Sequence, residues 1–504
     1  MEWVDTWGVS LTTFLPIVGA VIILFWPSAQ EKAIKAIATL FAGLALVVGV
    51  LMLFRFDYSR AGDMQLGGNY KWIPQIAARY HIGVDGMSLP LLELSLLVCF
   101  LCMIYLWWHV PDPGKPKALF ALVLLLETGM NGSFIALDLI LFFIFWEAVL
   151  VPMYFIIGIW GGPRRQYASV KFFLYTLFGS IFMLLGFLAV YFQAHTFDMI
   201  ALRDMHGSLF SEGFQNLTFL ALFLGFAIKV PMWPFHTWLP DAHTEAPTVG
   251  SVLLAAILLK MGTYGFIRIA IPILPQAAIN YAPIIGVLAV IAIIYGALCC
   301  LAQTDLKRLI AFSSVGHMGF VMLGIATLTN RGINGAVFGM VAHGLITGML
   351  FFLAGSIHER YHTREIASLG GVLQQIPKFG TIFSYAAIAS LGLPGLAGFW
   401  GEVLALLGAY HPAPGLSVPL FRVLMVFGGI GTVLTAGYLL WTIQRVNLGR
   451  IPEKFAASPI GDVATLEWVA WAPLLLLIIV AGFYPSLVLH TTDAAVQHLI
   501  GIFT

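Results

Sequence analysis

The sequence predicts an all-α polytopic membrane protein, and three observations predict it. The 504 residues are 60% hydrophobic and only 10% charged, with a mean hydropathy of +0.93, whereas soluble domains are roughly 45–50% apolar and about 25% charged. Apolar runs recur at the length of about 20 residues that a helix needs to cross a bilayer. The connections between them are mostly short, so no water-soluble domain of any size remains. Lipid must be the solvent of such a chain.

Taken in order, about 14 spans emerge from that window. The first three centre near Gly19, Leu44 and Leu97, within an N-terminal unit of residues 1–112. The next five, in 113–275, centre near Leu124, Glu147, Phe182, Gly225 and Lys260. Another five, in 276–446, centre near Val290, Val321, His343, Ile388 and Leu434, and a last one near Ile478 lies in 447–504. Longer connections follow Phe54 and lie near Asp198, His358 and Arg450. The first span lacks the basic N-terminal flank of a cleaved leader.

The two five-span units echo each other. Span five follows ALDLILFFIFWE (136–147) and span ten follows AQTDLKRLIAFSSVGH (302–317), each opening on Asp-Leu. Span seven breaks at KVPMWPFHTW (229–238), and five spans later span twelve breaks at GLPGLAGFWGE (392–402). A unit with an odd number of spans places its copy upside down, so the pattern predicts two inverted repeats with broken helices at matching positions.

With both termini placed outside, about fifteen Lys and Arg fall on inner loops and about seven on outer segments. Inner loops are expected to be the richer, so both termini are expected outside. A net charge of +1 gives no signal for nucleic acid, and none is expected as a partner. Cys99 and Cys102 form a C-x-x-C, and Cys299 and Cys300 are adjacent. All four lie in or at the edge of spans with no basic group nearby, and they read as small packing residues rather than cluster ligands. With no P-loop, dinucleotide fingerprint or convincing haem motif, no cofactor and no metal is expected on this chain.

Ionisable residues stand where lipid should be. Glu147, Lys229, Lys260, His343 and Glu402 sit near mid-span, and His317 lies a little off centre. Each such residue costs about 2.5–3.5 kcal/mol at the bilayer centre. Five would cost on the order of 12–17 kcal/mol facing lipid, more than a typical protein's stability. They are therefore expected to face inward, to pair and to be hydrated. Buried ion pairs that merely fix packing are the bland alternative, but Gly, Ala and Ser pack helices without that cost.

The stretch FAIKVPMWPFHTWLPDAHTEAP (226–247) sharpens the expectation. Pro231 and Pro234 remove backbone donors beside Lys229, and the freed carbonyls are tolerated at mid-membrane only where they line a cavity. Burial opposes a lysine's charge and a nearby carboxylate such as Glu147 supports it, so moving the carboxylate would release the proton. Lys260 reads as the central relay, His343 as a shuttle suited to physiological pH, and Glu402 as the donor or acceptor toward the far side. His236, Asp241, His243 and Glu245 read as capping and entry-closing residues rather than metal ligands. Glu93 and Glu127 read as paired structural carboxylates, and HERYHTREI (358–366) as a solvated inner loop.

The stretches 137–162, 229–260 and 302–320 resemble the antiporter-like subunits of respiratory complex I. DLKRLIA with SSVGHMG, and Glu402 in GFWGE, resemble the M-type (chain 4) branch of bacterial NADH:quinone oxidoreductase most. The resemblance covers residues from about 80 to about 490. It implies a 14-span inverted-repeat fold, with Glu147 paired to Lys229, Lys260 connecting them to His343, and Glu402 leading outward; His317 joins this polar axis. It also implies that NADH oxidation, FMN, Fe–S clusters and quinone belong to partner subunits. The partners implied are other membrane-arm subunits, including neighbouring antiporter-like chains and a long lateral helix, in a bacterial inner membrane with periplasmic termini. Alternatives are a subunit of a multisubunit cation/proton antiporter, a hydrogenase-linked pump, and a non-conducting scaffold.

Overall fold

The computed structural model describes residues 2–205, 207–456 and 459–503. Helices α1 (Glu2–Phe25) and α2 (Glu31–Arg55) form an antiparallel pair whose outer faces remain exposed. Next come strands β1 (Gln65–Ile73) and β2 (Ala78–Val84), α3 (Ser88–Trp108), α4 (Pro116–Ile135), α5 (Leu139–Trp160) and α6 (Arg165–Ala194). A broken segment follows, α7 (Glu212–Lys229) and α8 (Trp238–Glu245), and then α9 (Thr248–Ile273), α10 (Pro275–Leu301), α11 (Leu306–Ala326) and α12 (Asn330–Tyr361). The second broken segment is α13 (Pro377–Ser390) and α14 (Ala397–Tyr410), and α15 (Val418–Leu448), α16 (Thr465–Phe483) and α17 (Ser486–Ile500) complete the chain.

Among the described residues, 12 helices are long and apolar enough to cross a membrane. Every span centre expected from the sequence lies in a helix, and the two expected breaks are present. The antiparallel hairpin of β1 and β2, with Tyr70 opposite Tyr80, is the departure from an all-helical chain. It occupies the long connection after Phe54, where aromatic and β-branched residues favour a pleated surface.

The two Asp-Leu sites build the same joint twice. Asp138 accepts from the amides of Ile140 and Leu141 at the start of α5, and Asp305 from that of Arg308 at the start of α11. This is ordinary N-capping of otherwise orphaned donors. In the first joint Leu139 N donates to Phe197 O and Met199 N to Leu137 O. In the second, Leu306 N donates to Arg364 O and Ile366 N to Thr304 O. The expected unit boundary at 112/113 falls between helices, 275/276 one residue into α10, and 446/447 near the end of α15.

His81 ties the hairpin to the first joint through an ion pair of 2.8 Å with Asp198. Burial pushes the Asp198 carboxyl up, but the His81 hydrogen bond and charge, with the amides of Ala201 and Ile200, together outweigh it and leave it below its usual 3.8. A depressed carboxyl stabilises the fold above 3.8 and loses that contribution as pH falls through its folded value. Hydrogen exchange should therefore show amides 65–84 loosening on acidification, and already loosened near neutral pH in Asp198→Asn.

Burial is graded from lipid inward. Leu174, Val433 and Phe483 are exposed on peripheral helices, whereas α9 and most of α12 are buried. Where α12 crosses α14, a Cβ built on Gly401 would stand 2.6 Å from the Cα of Gly339. Small residues allow this close crossing. Gly401→Val should cost about 1–3 kcal/mol through overpacking, seen as a lowered thermal midpoint of the solubilised protein.

Candidate functional site

Helix α9 presents Lys260 at the centre of the molecule, fully buried between two π-turns, Leu254–Leu258 and Phe266–Ala270. Its Nζ donates to the carbonyl of Ala255 at 2.5 Å and lies 2.7 Å from Nδ1 of His343 on α12. The His343 and His317 rings stand 5.9 Å apart between centroids, and Nε2 of His343 is buried without a partner. His317, on α11, touches both halves of the second broken segment. Its Nδ1 is 3.1 Å from Glu402 Oε1 on α14, and its Nε2 is 3.1 Å from the Ser390 hydroxyl at the end of α13.

The break itself places Glu402. Gly392 and Gly395 hold φ of +82° and +93° around Pro394, a region that glycine enters without a Cβ penalty. The turn brings Gly392 against the carboxylate, where an added Cβ would stand 3.2 Å from Oε2. That oxygen has no hydrogen-bond partner. A small cavity of about 30 Å³ lies among His317, His343, Ser390 and Glu402, room for about one water beside these polar groups.

The first broken segment holds the other pair. Lys229 ends α7 with its Nζ buried, unpartnered and 5.1 Å from the Trp146 ring centre, a cation–π contact. Glu147, the next residue on α5, has its Oε1 buried and unpartnered. The two charges feel one another, but Lys229 is not hydrogen-bonded to the carboxylate. Trp238 on α8 donates to the carbonyl of Ile228 at 2.9 Å, satisfying one group released by the break.

A vestibule of about 680 Å³ opens at the loop ends of α3, α5 and α12, walled by Glu245, Lys307, His358, Glu359 and Arg364. The stretch 358–366 is thus more than the solvated loop expected from sequence. Helix α12 continues to Tyr361, and Arg360 is buried against Glu467 at 2.5 Å. Lys307 bonds the carbonyl of Ala246. His243, fully buried, stacks on Phe351 at 4.3 Å with neither ring nitrogen partnered, and the charges of Lys307 and Lys260 both act on it.

Other residues also depart from expectation. Glu127 is fully buried with neither oxygen partnered, so it is not the paired carboxylate its sequence suggests. Asp241 pairs with Lys171 at 2.7 Å, Glu245 with Arg164 at 3.6 Å, and His236 meets Tyr295 edge-on, so these side chains turn to separate partners. Burial of His243 and the Ser390 contact leave no local pattern in the sequence, because both arise where distant helices meet.

The description "NADH:quinone oxidoreductase/Mrp antiporter, TM" belongs to the family whose profile matches residues 136–434. NADH-quinone oxidoreductase subunit M of Rickettsia bellii (strain RML369-C) is 41% identical over 498 residues, covering 98% of each chain. Its counterpart from Rhodobacter capsulatus is 41% identical over 506 residues, covering 97% of this chain and 96% of that one. A chain of respiratory complex I from Thermus thermophilus with bound NADH superimposes with a TM-score of 0.85 at 30% identity, covering 98% of this chain and 100% of that chain. A chain of the Mrp complex from Dietzia sp. DQ12-45-1b shares the fold, with a TM-score of 0.84 at 20% identity over 98% of this chain and 52% of its own. With a profile over more than half its length and relatives matched end to end, the chain belongs to the NADH:quinone oxidoreductase/Mrp antiporter membrane family, in its subunit M branch.

Proposed function

We propose that the chain is a proton-translocating membrane-arm subunit of NADH:quinone oxidoreductase. Electron transfer in partner subunits would supply the free energy, and those partners would hold FMN, Fe–S clusters and quinone. One observation carries the reading: buried Lys260, His343 and Glu402 and half-buried His317 form a succession of proton-exchanging groups, linked by contacts of 2.7 and 3.1 Å and one 5.9 Å step between rings. A proton enters from the vestibule past Lys307 and His243, is held at Lys260, and leaves through His343, His317 and Glu402. Glu147 and Lys229 set the charge that Lys260 feels. When the carboxylate supports Lys229, the cation there discourages a second at Lys260; when it withdraws, Lys229 gives up its proton and Lys260 takes one.

In this reading each broken segment crosses once, which gives 14 crossings and places both termini on the periplasmic side of a bacterial inner membrane. Residues 113–275 and 276–446 are the two inverted halves, a division that the duplicated Asp-Leu joints support. Residues 1–112 and 447–504 flank them and meet neighbouring antiporter-like subunits, a lateral helix and lipid. The family description itself favours one alternative, a multisubunit cation/proton antiporter.

A pull-down of the tagged chain from gently solubilised membranes separates the two. The expected result is co-purifying NADH:quinone reductase activity with flavin and Fe–S clusters. Small hydrophobic partners alone, with sodium-driven proton exchange in vesicles, would establish the antiporter instead.

A further inference from the structure

A second large space lies outside the polar axis. Helices α2, α3, α12 and α16 and the start of α17 line a crevice of about 720 Å³, toward the upper end of the roughly 300–1,000 Å³ of ordinary small-molecule pockets. Its walls are almost wholly apolar, with Leu46, Val50, Leu97, Leu345 and Leu477 among them. Into this apolar wall projects one carboxylate, that of Glu93, packed over Gly49 with its Oε1 buried and unpartnered. The Tyr58 hydroxyl nearby is already committed to the carbonyl of Leu53 at 2.9 Å.

Depth identifies what could meet that carboxylate. Helix α3 has 21 residues, about 31 Å at 1.5 Å per residue, which matches the roughly 30 Å hydrocarbon layer. Its first residue, Ser88, therefore lies near one face of that layer, and Glu93 about 7.5 Å farther in. Helical side chains tilt toward the N-terminus, so the carboxylate reaches back toward the surface. Tyr58 and Tyr484, both exposed, stand at the rim with His490, and tyrosines favour the level of lipid headgroups. An unpartnered carboxyl at this position calls for N–H donors, best from a cation that sustains its ionised form, and the apolar walls call for acyl chains.

The geometry points to a bound phospholipid with a primary ammonium headgroup, a phosphatidylethanolamine, with an acyl chain packed in the crevice and its ammonium hydrogen-bonded to Glu93. A primary ammonium brings three donors and the opposite charge, whereas the quaternary ammonium of phosphatidylcholine brings the charge without a donor. The site thus selects one headgroup over the other.

The test uses the full chain within its membrane complex, reconstituted in vesicles of equimolar phosphatidylethanolamine and phosphatidylcholine, re-extracted in mild detergent and analysed for retained lipid by mass spectrometry. The wild type should retain about one more phosphatidylethanolamine per chain than Glu93→Gln, with at least fivefold preference over phosphatidylcholine at that difference. Val50→Trp, which fills the crevice from its exposed wall and leaves Glu93 in place, should displace the same lipid and keeps the test valid if Glu93→Gln fails to assemble. Equal retention of both lipids, or retention unchanged in either variant, overturns the proposal. So does a photo-crosslinker at Leu97 that captures a neighbouring polypeptide in place of lipid.

Discussion

Lys260→Met is expected to leave the membrane complex assembled while proton movement per NADH oxidised falls by on the order of 10²-fold, the scale lost with a general acid–base group. Methionine nearly matches the lysine in volume, and replacing a buried charge with a well-packed apolar side chain is often neutral for stability. Nothing else fills the gap, because Lys260 is the group within 2.7 Å of His343 Nδ1. Proton uptake by vesicles holding the purified complex measures the loss, and native gel electrophoresis measures assembly. A complex that pumps at the normal ratio would exclude Lys260 as the relay, and one that fails to assemble would favour a scaffold.

Lys229→Met and Glu147→Gln form the second expectation, and its content is their combination. Each alone should lower coupled NADH oxidation and pumping by on the order of tenfold, because a charge coupling of about 1.4 kcal/mol is a factor of ten. The double variant should do little further harm, since groups that act as one unit are not additive. The geometry supports this. Lys229 Nζ and Glu147 Oε1 are both buried without a hydrogen-bond partner, and each group's charge acts on the other. Losses that multiply in the double variant would show that the two residues act independently.

The spans and both breaks are legible in the sequence because each has a local cause: an apolar run of bilayer length, or a proline or glycine that interrupts it. The inward-facing charges are legible for an energetic reason, since lipid would not tolerate them. Their order is a different matter. That Lys260 meets His343 across 83 positions, or that His317 joins Ser390 to Glu402, is set by packing between helices that no window spans. The roles given to these residues rest on resemblance as well as on burial. The hairpin of β1 and β2 is hidden because the chain around it is read for lipid, and strand alternation in an outer connection lies beneath that signal. His243 is hidden because its motif also suits a cap, and its isolation emerges only once Phe351 lies against it.

The two π-turns of α9 have a mechanical consequence. A helix whose hydrogen bonds run to i−5 at two places can shift its bonding register there without breaking it, and one residue of shift turns the helix by about 100°. Residues 259–265 lie between those places, so a shift of register at both would turn the segment bearing Lys260 while its ends stay packed. Such a shift would carry the ammonium away from its present partners, the Ala255 carbonyl and His343 Nδ1, and back again, the action of a turnstile rather than a channel. Amide exchange faster at 254–270 than in the equally buried middle of α12 is the signature of that compliance.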